Sequence, residues 1–184
     1  MKRSKRLVES LEMSIVIEPN MDIITDNMIS AWGGVPLPQL SVMLVYLRYL
    51  AMIHQNHHWT TKGDPFYGDH LLYQRLYDGV NEEIDTVAEK VIGLGSPANV
   101  DIILQTKQIM GLVQGYGMTS TLPQPSDLAR RSYQAEMSFL KVTAYLVEHI
   151  KECAMMTRGL DNMIAGIEDS HESSIFLLKQ RISQ

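Results

Sequence analysis

Apolar residues recur at the helical period along most of this chain, and no stretch shows the alternation a strand requires. Met43, Leu44, Leu47, Leu50 and Ala51 form one stripe, which continues to His54 and His58 before Gly63-Asp64-Pro65 ends the helix. A second helix spans about Tyr67 to Leu94 with its stripe at Tyr73, Leu76, Val80, Ile84, Val87 and Val91, stopped by Gly93, Gly95 and Pro97. Residues 96–125 then read as a long crossover. It carries a short helix near Val100–Leu112, with Gly111, Gly115, Gly117, Pro123 and Pro125 keeping the rest irregular. A third helix is expected from a capping Ser126 or Asp127 to about Met156. After Arg158-Gly159 a fourth carries Leu160, Met163, Ile164, Ile167, His171, Leu178 and Ile182.

The reading is therefore all-α. Four long helices joined by short, long and short connections describe a ferritin-like four-helix bundle with one long crossover. The bundle domain is expected over residues 37–184. Residues 1–36 read as an N-terminal extension with a basic tail and a short helix around Leu7–Met13.

Charge and cysteine content narrow the surroundings. The net charge of −5 argues against the body of the molecule clinging to nucleic acid, but Lys2, Arg3, Lys5 and Arg6 make a basic tail that can attract phosphates. Glu9 and Glu12 interrupt the apolar run a signal peptide would need. Cys153 is the only cysteine, so no intramolecular disulfide can form, and a reducing, cytoplasmic compartment is expected.

Four side chains stand out as candidate metal ligands. His58 and His70 bracket the turn between the first two helices, and Asp85 and Glu89 lie one turn apart on the second. Imidazole and carboxylate together suit a divalent transition metal such as iron. Yet His70 and Asp85 are fifteen residues apart on one helix, roughly 22 Å, so the four cannot hold one ion within one chain. With Val80 as the inward direction, His70 points about 80° away, Gln74 about 120°, Asp85 about 140° and Glu89 about 180°. Leu71 and Ile92 share that outer face. Apolar residues mixed with ligand types suggest contact with a second copy, running antiparallel across a two-fold axis. The plainer alternatives are a solvated acidic face and, for His54 and His171, hydrogen-bonded core histidines. Glu168 and His171 form a Glu-x-x-His pair that invites a different reading, a ferritin with a di-iron site inside the bundle. No Asp or Glu lies between Asp26 and Asp64 to complete such a site from the first helix.

His58-Trp59, Lys62-Gly63, Phe66, His70, Tyr77, Asp85 and Ala88-Glu89-Lys90 together resemble the signature of the Dps miniferritins, over roughly residues 38–182. The resemblance implies a hollow shell of twelve subunits. It implies a ferroxidase that oxidises Fe(II), preferentially with hydrogen peroxide, at sites shared by two-fold-related subunits, stores ferric mineral and protects DNA. It places His58 and His70 from one subunit with Asp85 and Glu89 from its mate. Trp59 would take up oxidising equivalents, Asp161 would line an iron-entry pore, and the basic tail would touch DNA in a nucleoid-associated protein. Where the family has an Asp four residues after the second histidine, this chain has Gln74. An amide oxygen is a weaker, uncharged iron ligand, which leaves a DNA-binding shell with impaired ferroxidase activity as the alternative.

Overall fold

The computed structural model describes residues 21–115 and 125–183, and among them there are helices and no strands. In chain order these are α1 (Met21–Ala31), α2 (Pro38–Thr60), α3 (Phe66–Leu94), a 3-10 turn (Pro97–Val100), α4 (Ile102–Gly115), α5 (Pro125–Glu152) and α6 (Arg158–Ile182). The tail residues Lys2, Arg3, Lys5 and Arg6, the helix expected at 7–13, and Gly117 and Pro123 lie outside the described residues.

Proline 38 opens α2, where its fixed φ suits the first helical turn and its missing N–H costs nothing. Helix α2 is the hub. It packs against α1, α3, α4 and α5, and α5 in turn carries α6. Every residue from Gln39 to Leu47 is buried, so the first half of α2 has no solvent face at all. Leu40, Val42, Leu44, Val45 and Leu47 meet Val80, Val87 and Val91 of α3 and Phe139, Leu146 and Ile150 of α5 in one apolar core. Only the second half of α2 shows an outer face, with Met52 and Trp59 exposed.

Residues 21–36, read as part of an extension, contribute to this core. Met28 and Trp32 are buried in it, and the Trp32 indole N–H donates to Gln108 of α4 at 3.0 Å. The Gln108 amide in turn donates to the Met28 carbonyl at 2.8 Å, clasping α1 to the crossover helix.

Several boundaries differ from the sequence expectation, and α5 already begins at Pro125, so the expected capping residues Ser126 and Asp127 lie inside it. The third long helix stops at Glu152 rather than near Met156, because Ala154 adopts a left-handed conformation with φ 55. Thr157 then caps α6, its hydroxyl accepting from the Leu160 N–H at 3.1 Å. Gly111 and Gly115 lie inside α4 rather than in irregular chain. Among the described residues no helix is long and apolar enough to cross a membrane.

Candidate metal centre

Gly63, at φ 84, makes the reversal between α2 and α3. Its carbonyl accepts from the Phe66 N–H at 3.0 Å and so sets the first turn of α3. His58 on the last turn of α2 and His70 on the first turn of α3 thereby come face to face, with ring centroids 3.7 Å apart and planes 24° from parallel. Phe66 stacks on His70 at 5.0 Å, and Tyr77 meets His58 in a T-shaped contact with ring centroids 5.3 Å apart.

The two histidines fix each other. His58 Nδ1 donates to the His70 carbonyl at 2.9 Å, and His70 Nδ1 donates to the His58 carbonyl at 3.0 Å. A carbonyl only accepts, so both protons sit on Nδ1 and each Nε2 carries a free lone pair when the ring is neutral. This is the arrangement that orients metal-binding imidazoles, with the non-ligating nitrogen tied to a backbone oxygen. A third tie steadies the same turn. Arg181 at the end of α6 donates from Nε and Nη2 to the two carboxylate oxygens of Asp69, at 2.6 and 3.0 Å, next to His70.

The other sequence candidates lie elsewhere on the surface. Asp85 and Glu89 are exposed on α3, and neither makes an ion pair or hydrogen bond among the described residues. They sit roughly 22 Å or more along the helix from His70. Gln74 is exposed one turn beyond His70, and Asp161 is exposed on the first turn of α6. Trp59, beside His58, is 68% exposed, and Leu71 and Ile92 on the acidic face of α3 are 46% and 42% exposed. Among the described residues, no group of three or more His, Cys, Asp or Glu side chains is arranged to hold a metal ion.

A second polar assembly runs through the interior, and most of it escapes the sequence reading. His171 Nε2 donates to Glu83 at 2.9 Å and its Nδ1 to Glu136. The other oxygen of Glu136 accepts from His54 Nε2 at 2.7 Å. Ser132 Oγ then bridges His54 Nδ1 at 3.2 Å and His57 Nδ1 at 2.8 Å. One side chain or more from each of α2, α3, α5 and α6 thus joins a single chain of hydrogen bonds. His54 and His171 are core histidines, as their apolar stripes suggest. The di-iron reading of Glu168 with His171 finds no support in these contacts, since both His171 nitrogens are engaged by Glu136 and Glu83 instead. The overlooked members have a signal in hindsight. Ser132, Glu136, Phe139, Thr143, Leu146 and Ile150 recur at helical spacing, all buried, with the polar pair at one end.

The electrostatics of this chain are those of a buried ion pair. Burial alone would push the His171 imidazole down, but hydrogen bonds to Glu136 and then Glu83, with their charges, outweigh it and raise it to about 9. Burial would likewise push the Glu136 carboxyl up, and bonds from His171 and His54 reverse that to hold it at about 2. Among the described residues His57 has no carboxylate partner. Burial first, then His54 and Arg131, lowers it to about 3, so it stays neutral.

The raised His171 stabilises the fold fully below its ordinary 6.5 and loses that contribution as pH rises through about 9. The lowered Glu136 contributes above its ordinary 4.5 and loses it as pH falls toward 2. Between pH 4.5 and pH 6.5 both contributions are complete. Unfolding by denaturant at pH 6 and pH 9.5 is expected to show a loss on the order of 3 kcal/mol at the higher pH. Introducing His171→Gln should flatten that slope, and an unchanged slope would remove the ion pair from the account.

No family model matches this sequence, and a search of curated proteins finds no significant match.

Proposed function

We propose that this chain is a Dps-like ferroxidase of ferritin-like four-helix-bundle fold, whose iron sites are completed between two-fold-related subunits of a hollow shell. The observation that carries the reading is the reciprocal pairing of His58 and His70, which leaves two free imidazole lone pairs at one place on the surface. Two further facts support it. Asp85 and Glu89 are carboxylates one turn apart, unpaired among the described residues, on a face that also exposes Leu71 and Ile92. They lie too far from the histidines to join them within one chain, so an antiparallel second copy is what brings His58 and His70 to the mate's Asp85 and Glu89.

The chemistry follows from the donor set. Ferrous iron is the substrate, bound by neutral imidazoles and by carboxylates that offset its charge. The carboxylates favour the ferric product over the ferrous reactant, which lowers the barrier to electron loss. Each of two ferrous ions gives one electron, and the O–O bond of hydrogen peroxide breaks with both, so no hydroxyl radical is released. Trp59, exposed beside His58, would take up a stray oxidising equivalent.

Anaerobic protein given ferrous salt and then peroxide should develop ferric absorbance faster than salt and peroxide alone, in a particle much larger than 20.8 kDa. A monomer with no acceleration would end the proposal. Gln74 weakens one iron position by supplying an amide where a carboxylate would add charge. Gln74→Asp is therefore expected to tighten the weaker of two ferrous binding steps by roughly tenfold, within the range known for single supporting groups. Identical titrations of the two proteins would show that Gln74 is not at the metal.

A further inference from the structure

One cation on the outer half of α2 has no partner among the described residues. Arg48 is half-buried, and its Nε is fully covered yet makes no hydrogen bond. Among the described residues it forms no ion pair, although a guanidinium without an acceptor is costly to bury. It sits at the top of the exposed strip of α2 that continues through Met52 to Trp59. On α3, Asp78 is likewise exposed and unpaired among the described residues.

The register of a shared iron site brings these two together. The mutual contact of His58 and His70 makes them level on their antiparallel helices. A mate's Asp85 and Glu89, centred on residue 87, must then stand level with His70. The two-fold axis consequently crosses α3 midway between 70 and 87, at Asp78 and Gly79. Measured from the histidines, Asp78 is roughly 12 Å along and Arg48 roughly 15 Å along. Rotation about the axis carries Arg48 of one copy to within about 1.5 Å of the level of Asp78 on the other, one residue's rise.

We propose that Arg48 and Asp78 form an ionic clasp between two copies of this chain, made twice across the two-fold axis. The occupant of this face is a second copy rather than another protein, because the strip pairs an unpartnered cation on α2 with an unpartnered carboxylate on α3 at symmetry-related levels. A guanidinium and a carboxylate can meet through two parallel hydrogen bonds, which fixes register as well as adding attraction. The clasp thus sets the sliding position at which His58 and His70 meet the mate's carboxylates. It rests on the shared-site reading above.

The test is a charge swap on the full chain. Arg48→Asp and Asp78→Arg, each alone, put like charges against each other across the axis. Each is expected to weaken subunit association about tenfold or more in sedimentation at fixed salt. The double variant Arg48→Asp/Asp78→Arg should recover association to within a few-fold, and ferrous oxidation with it. Circular dichroism on each variant establishes that the helices remain. If the unaltered chain assembles and the single variants assemble equally well, or the folded double variant does not recover, the clasp is overturned while the shared iron site stands. If the unaltered chain is a monomer, the shared site fails and the clasp with it.

Discussion

Replacing His58 with alanine is expected to slow peroxide-driven ferrous oxidation by about a hundredfold or more, while helix content is unchanged. The size follows from comparison with weaker perturbations: removing a group that merely orients a metal ligand costs about 10- to 100-fold, and His58 is itself the proposed ligand. It also orients its neighbour, because its backbone carbonyl accepts from His70 Nδ1 and its ring stacks on His70 at 3.7 Å. The carbonyl survives the substitution and keeps its bond to His70 Nδ1, but the stacked ring does not, so the remaining imidazole is held by one contact fewer. Asp85→Ala should cause a loss of the same order from a residue roughly 22 Å away along α3. Stopped-flow ferric absorbance at matched protein concentration measures both. A variant that oxidises iron at the unaltered rate would remove that residue from the site.

Glu136→Ala is expected to be the most damaging single change to the fold. Its carboxylate is fully buried and accepts from both His54 and His171. Removing one partner of a buried charge pair costs about 3–5 kcal/mol, because the other charge is left uncompensated. In a chain of this size that corresponds to a fall of about 10 °C or more in Tm. The remedy distinguishes charge from packing. With Glu136 gone, His171 keeps only Glu83 at 2.9 Å, so the variant should lose less stability at high pH, where the imidazole is neutral, than at pH 6. Calorimetry at one protein concentration and two pH values reads this directly. A loss below about 1 kcal/mol at pH 6 would show that the buried chain contributes little.

The contrast between these two residues shows what the sequence makes legible. The stripes of α3 and α6 are read correctly because burial on one face leaves a period that a single segment displays by itself. Val80, Val87 and Val91 are buried, as are Leu160, Ile164 and Ile167. The pairing of His58 with His70 is legible for a local reason too: a turn of a few residues with Gly63 and Pro65 lies between them. Glu136 and Glu83 are not legible in this way. Their meaning depends on which faces of α3, α5 and α6 point at one another, and that is a property of packing between segments far apart in sequence. The end of α5 is hidden for the opposite reason. The left-handed residue there is Ala154, where glycine would have announced the break. Residues 21–36 read as an extension because α1 is short, yet Met28 and Trp32 carry it into the core through Gln108.

The central claim is that each iron site takes its histidines from one subunit and its carboxylates from another, and complementation between two inactive variants tests it most directly. A His58→Ala chain still has Asp85, and an Asp85→Ala chain still has His58. When the two are dissociated, mixed equally and reassembled at random, half of the dimers pair one with the other. Each such dimer regains one intact site of its two, so the mixture should recover about a quarter of the unaltered oxidation rate. If the mixture stays as inactive as its components although mixed dimers form, the histidines and carboxylates do not meet across subunits, and the account is wrong.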